Sequence, residues 1–206
     1  MSALTLLDYT AVFVFALTGA LVASRAQLDI VGFVFIACLT AVGGGTMRDV
    51  ILDRTVFWIA DPNVILVASV AALIVFFTAH LLESRYRAIP WIDAFALAVA
   101  VPAGVAAAVA TGGVWSIILI MGVATGCFGG LMRDVVCNEV PLVLKQGELY
   151  VTCAFAGAGA AVILLHFGQA LPVALIGCAL VTLALRIGSI AFGWSLPVYK
   201  SRPPRA

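Results

Sequence analysis

The sequence predicts an all-α integral membrane protein: seven transmembrane helices in a three-plus-three inverted repeat with one helix added, the second and fifth broken at glycines. Three observations predict it. The 206 residues are 64% hydrophobic and only 10% charged, with a mean hydropathy of +1.19, whereas soluble domains are about 45–50% apolar and about 25% charged. Apolar runs of a length that crosses a hydrocarbon core of about 30 Å recur along the chain, separated by short polar connections. And the stretch Gly43-Gly44-Gly45-Thr46-Met47-Arg48-Asp49 returns as Phe128-Gly129-Gly130-Leu131-Met132-Arg133-Asp134.

The first span runs from Leu4 to Ser24, apolar apart from Asp8, and lacks the basic start and small-residue cleavage site of a signal peptide. Arg25, Gln27 and Asp29 make a turn. The second run starts at Ile30, reaches the triple glycine and continues past Arg48-Asp49 toward Trp58. Asp53, Arg54, Asp61 and Pro62 form a polar connection, Pro62 being suited to open a helix. Asn63 to Leu82 is the third span, closed by Glu83, Arg85 and Arg87. Trp91 to Ala110 is the fourth, followed by the turn Thr111-Gly112-Gly113, and the fifth begins at Trp115. After a connection through Glu139, Pro141, Lys145, Gln146 and Gly147 come the sixth span, Glu148 to His166, and the seventh, Leu171 to Phe192. A basic tail, 197–206, carries Lys200, Arg202 and Arg205. Basic residues concentrate after spans one, three and five and in the tail, which puts the N-terminus outside and the C-terminus in the cytoplasm.

All of this is one transmembrane domain, 1–206, with repeats at about 5–84 and 90–168. A constant offset of 85 positions takes Asp8 to Asp93, Gly19 to Gly104, Thr40 to Thr125, Gly44-Gly45 to Gly129-Gly130 and Met47-Arg48-Asp49-Val50 to Met132-Arg133-Asp134-Val135. Alanine and valine matches mean little in this composition, but these polar and glycine matches in one register do. Each repeat holds an odd number of spans, so the second copy inserts upside down relative to the first.

Inverted repeats with interrupted helices recur in membrane proteins that move small solutes, with the site at the repeat interface. Backbone freed by a break must find partners within protein or in a water-filled cavity, because lipid offers none. Two opposed breaks at Gly43, Gly44, Gly45 and at Gly129, Gly130 therefore predict a constricted polar path. Arg48, Asp49, Arg133 and Asp134 are the charges on it, expected to bridge crosswise, Arg48 with Asp134 and Arg133 with Asp49. The plain alternative is that the pairs only hold the repeats together. Thr40 and Thr125, about one turn before the glycines, either offer hydroxyl oxygens to a passing K⁺ or Na⁺ or bond back to their own helix carbonyls.

Other polar residues have simpler expectations. Asp8 and Asp93 sit near span starts, where the helix dipole favours a carboxylate. His80 and His166 lie at span ends, and Arg186 is expected to snorkel toward the interface. Lys145 and Glu148 are weaker gate candidates. The stripe Gly122, Gly126, Gly130 and the one from Ala156 to Ala160 permit close helix packing. The five cysteines are scattered without CxxC spacing and read as small buried hydrophobes. The formal charge of +1 gives no reason to invoke nucleic acid. No HExxH, GxSxG or P-loop is present, no cofactor is implied, and the chain does not read as an enzyme.

The doubled Gly-Gly-x-x-Arg-Asp motif in a seven-span frame, over about residues 5 to 195, resembles the prokaryotic members of the trimeric intracellular cation (TRIC) channel family, whose bacterial relatives are also labelled glycine-transporter-domain proteins. The resemblance implies a homotrimer among membrane lipids in a prokaryotic plasma membrane. It implies one hourglass pore per subunit, lined by the second and fifth helices and passing monovalent cations, chiefly K⁺. A secondary carrier of a small zwitterion such as glycine is the alternative. Phe128 stands where a full second triplet would have glycine. Animal members carry a Lys-Glu-Val motif associated with phosphoinositide, which Leu131-Met132-Arg133-Asp134 does not match, so that lipid is not carried over.

Overall fold

A computed structural model describes residues 3–81, 85–145 and 148–197, the side chains of residue 3 and of 85–88 excepted. Glu83, Gln146, Gly147 and the tail residues Lys200, Arg202 and Arg205 lie outside the described residues. The described chain is α1 (Ala3–Arg25), α2 (Ile30–Ile51), the short α3 (Phe57–Ala60), α4 (Asn63–Thr78) with a 3₁₀ turn (Ala79–Leu81), α5 (Arg85–Ala110), α6 (Trp115–Val136), α7 (Val151–His166) and α8 (Leu171–Phe192). Six of these are long and apolar enough to cross a membrane, and α7, with 16 residues, is a shorter apolar helix. Large apolar side chains stay exposed on the outer faces, among them Phe35, Phe77, Phe155 and Ile176, as expected where the solvent is hydrocarbon.

The offset of 85 read from sequence governs the backbone as well. Asp53 and Asn138, exchanged by that offset, hold left-handed φ of 51° and 54° and stop α2 and α6. Each is followed by the same closing hydrogen bond, Arg54 N to Asp49 O at 2.8 Å and Glu139 N to Asp134 O at 2.8 Å. Asp and Asn are the side-chain-bearing residues that best tolerate this conformation. The start of α2 is capped by Asp29, whose carboxylate accepts from Gly32 N at 2.8 Å. Helices α1 and α5 pack on each other at the centre, α2 packs on α6, and α8 packs on α5 and α7 of the second repeat.

The expected interruptions at the glycines are not there. Helix α2 is continuous from Ile30 to Ile51 and α6 from Trp115 to Val136. Nor does α2 extend toward Trp58, since it stops at Ile51 and Trp58 belongs to α3. An interior glycine costs a helix only about 1 kcal/mol, and here the tertiary crossing sets the need for it. A Cβ on Gly44 would collide with the carbonyl oxygen of Thr125, and one on Gly129 with the carbonyl oxygen of Thr40. The offset exchanges the two contacts, so α2 and α6 cross backbone to backbone about a two-fold axis. Gly19 and Gly104 repeat the device one layer out, each with the place of its missing Cβ 2.6 Å from a hydroxyl, Thr40 Oγ1 and Thr125 Oγ1 respectively. The interior proline of the fourth span, Pro102, lies in α5 instead, where it withholds one helix hydrogen bond.

Candidate functional site

Each repeat folds its motif into a buried arginine between two carboxylates. In the first, Arg48 Nε donates to Asp49 Oδ1 at 2.8 Å and Nη1 to Asp8 Oδ1 at 2.8 Å. The other oxygen of Asp49 accepts from the backbone N–H of Phe57 at 2.9 Å, and the Phe57 ring lies 5.4 Å from Arg48 Cζ. In the second, Arg133 Nε donates to Asp134 Oδ1 at 2.7 Å and Nη1 to Asp93 Oδ1 at 3.0 Å. Asp134 Oδ2 accepts from Leu142 N at 2.9 Å, and Arg133 Nη1 also donates to Thr18 Oγ1 at 2.9 Å. Asp8 with Asp93, Asp49 with Asp134 and Phe57 with Leu142 are all exchanged by the offset of 85.

These pairings correct two expectations. Arg48 does not reach Asp134, nor Arg133 Asp49; each arginine is satisfied within its own repeat. The reason is geometric: both arginines occupy the last turn of their helices, and antiparallel α2 and α6 carry those turns to opposite ends. Asp8 and Asp93 are more than helix-start carboxylates, since each anchors an arginine 40 residues away. Each cluster holds one guanidinium and two carboxylates, a formal charge of −1 with both acids ionised. Arg48, Asp49, Arg133 and Asp93 are fully buried, whereas the Asp8 side chain keeps 12% of its surface.

The two threonines bond back along their own helices, Thr40 Oγ1 to Ile36 O at 2.6 Å and Thr125 Oγ1 to Met121 O at 2.7 Å. Both also line a small internal cavity of about 20 Å³ that reaches from Asp8 past Gly44 and Gly45 to Phe15, Ala100 and Ala103. That is room for about one water molecule. Asp8 is shared with an open recess of about 340 Å³ at the α1 N-terminal end, lined also by Thr5, Tyr9, Arg54, Phe57 and Asp61. On its rim the Tyr9 hydroxyl donates to Asp61 at 2.5 Å and holds that carboxyl below its ordinary range. A second recess of about 490 Å³, lined by Arg25, Ile89, Pro90, Glu139, Leu142 and Lys145, occupies the opposite end. Its Ile89, Pro90, Glu139, Leu142 and Lys145 are the offset partners of Leu4, Thr5, Arg54, Phe57 and Ala60 in the first recess.

A sequence model described as Glycine transporter matches residues 5–80 and again residues 90–166. A UPF0126 membrane protein of Vibrio cholerae serotype O1 is 38% identical over 203 residues, 96% of this chain and 83% of that one. The crystal structure of the TRIC trimeric intracellular cation channel orthologue from Rhodobacter sphaeroides matches with a TM-score of 0.90 at 40% identity, covering 94% of this chain and 100% of that one. The chain belongs to the prokaryotic TRIC channel family. The UPF0126 inner membrane protein YadS of Escherichia coli K12 is 36% identical, with 94% of each chain covered. A TRIC-family chain of this kind is a multi-pass membrane protein, and its relatives are membrane proteins and channels rather than enzymes.

One buried charge of this TRIC-family chain has no counterpart in the repeat. Arg186 of α8 does not snorkel: it is fully buried, donates to Glu148 Oε2 at 2.8 Å and to Leu149 O at 3.1 Å, and lies 5.0 Å from the centre of the Tyr150 ring. Lys145 reaches the other Glu148 oxygen at 2.7 Å. Burial pushes the Glu148 carboxyl up, but the bonds from Lys145 and Arg186 outweigh it and hold the group below its ordinary value. The pair docks the added helix onto the start of α7. A charge deep in an apolar span was the sequence signal for it; its partner, in a loop 38 residues away, carried none.

Proposed function

We propose that this protein is a homotrimeric channel for monovalent cations, permeable to K⁺, with one pore inside each subunit. Two net-negative clusters, one toward each end of the subunit and exchanged by the repeat, carry the reading. A path flanked by both attracts cations from either side and repels anions, and the fixed arginine in each keeps a permeating ion from binding too tightly to leave. The pore-lining set is Gly43, Gly44, Gly45, Arg48 and Asp49 on α2 with Gly129, Gly130, Arg133 and Asp134 on α6, joined by Asp8 and Asp93. Thr40 and Thr125 spend their protons on their own helices, which leaves oxygen lone pairs in the cavity as a transient K⁺ or Na⁺ contact. The solved relatives described as TRIC cation channels support this reading, and the trimer follows the Rhodobacter sphaeroides orthologue, described as trimeric. The basic-residue asymmetry supports an external N-terminus and cytoplasmic C-terminus.

The family description Glycine transporter speaks for the alternative, a zwitterion carrier. The cavity of about 20 Å³ speaks against it, since it holds a water molecule and no amino acid. Planar-bilayer recording of purified protein in a KCl gradient separates the two. A channel gives unitary current steps reversing toward the K⁺ equilibrium potential, and a carrier gives saturable flux without steps.

A further inference from the structure

We propose that Phe15 of α1 is the plug that closes the path in this conformation. The inference rests on the channel reading. The cavity that Asp8 lines is lined also by Phe15, a residue only 3% exposed. One turn further along the same face of α1, Thr18 donates to Phe15 O at 2.8 Å and accepts from Arg133 at 2.9 Å. Along α1, Phe15 thus stands between Asp8 of the first cluster and Thr18, which bonds Arg133 of the second.

The repeat shows why the two halves differ. The wall of the cavity includes Val12, Phe15, Ala100 and Ala103. The offset of 85 exchanges Phe15 with Ala100 within that wall, and replaces Val12 and Ala103 by the larger Leu97 and Thr18. Leu97 is fully buried and its Cδ1 lies 2.9 Å from the place of a Cβ on Gly126, so the small residue there is already filled against. A cation coming from Asp8 meets the Phe15 ring, and it passes only when that ring swings aside.

The test is single-channel recording and K⁺ efflux from liposomes for the wild type, Phe15→Leu and Phe15→Ala, each first shown to elute as the wild-type oligomer. Losing the ring's packing penalises the closed form, so Phe15→Ala is expected to raise open probability at least about tenfold, with Phe15→Leu between it and the wild type. Phe15→Leu, nearer in volume, decides the matter if Phe15→Ala does not assemble. A conducting wild type whose assembled variants open no more often overturns the plug and leaves the channel reading standing. If neither wild type nor variants conduct, the channel reading falls, and the plug with it.

Discussion

Asp8 and Arg48 meet at 2.8 Å across 40 residues of sequence, and the same bond recurs between Asp93 and Arg133 at 3.0 Å. The recurrence makes the arginine clusters structural keystones of both repeats, because each ties the first helix of its repeat to the end of the second. Function has to be read through that role, since the groups on the proposed path are also the groups that hold it together.

Removing the guanidinium should therefore cost stability before it alters conduction. Arg48→Gln or Arg133→Gln strands two buried carboxylates, and breaking a buried pair from one side costs about 3–5 kcal/mol. Thermal unfolding in detergent should show both variants well below the wild type, with Arg133→Gln the worse because Asp93 is fully buried while Asp8 keeps 12% of its side-chain surface. Wild-type midpoints would show that the clusters do not hold the fold, and equally lowered ones that the exposure of Asp8 does not matter.

The glycines make a graded prediction. Gly44→Ala and Gly129→Ala press a methyl group onto a backbone carbonyl that cannot move, an overpacking cost of about 1–3 kcal/mol. At Gly130 the nearest atom to an added Cβ is Tyr150 Oη at 3.4 Å, an ordinary contact. Gly130→Ala should unfold close to the wild type and the other two clearly below it, in one thermal series.

Acid should loosen the docking of α8. The folded Glu148 carboxyl sits below its ordinary value of 4.5, so its contribution is full above that pH and fades as pH falls through the depressed folded value. Unfolding midpoints measured from pH 7 downward should drop more steeply for the wild type than for Glu148→Gln, which lacks the ionisable group. Parallel curves would remove the Glu148–Arg186 pair from the stability account.

What sequence made legible was whatever repeats. Gly-Gly and Met-Arg-Asp in one register disclosed the two copies, the helices and the arginine–aspartate clusters, because a shared offset ties distant positions together without any knowledge of contacts. The use made of those residues was less visible. Gly44 reads locally as a helix breaker, yet its role is set by the Thr125 carbonyl on another helix. Asp8 reads as a helix-start carboxylate, and only the fold brings it to Arg48. Arg48 and Asp49 were right as a pair and wrong as a crosswise bridge, because the Phe57 N–H fixes the second oxygen of Asp49 within its own repeat. Arg186, in the helix outside the repeat, had no partner position to point at Glu148.

The central claim is that cations pass both net-negative clusters on one route through a subunit. Reversal potentials in a KCl gradient for the wild type, Asp8→Asn and Asp93→Asn test it most directly, since asparagine keeps an oxygen for the arginine while taking each cluster from −1 to neutral. Both variants should assemble and both should shift reversal from the K⁺ equilibrium potential toward zero. Assembled variants that reverse where the wild type does would place the route elsewhere.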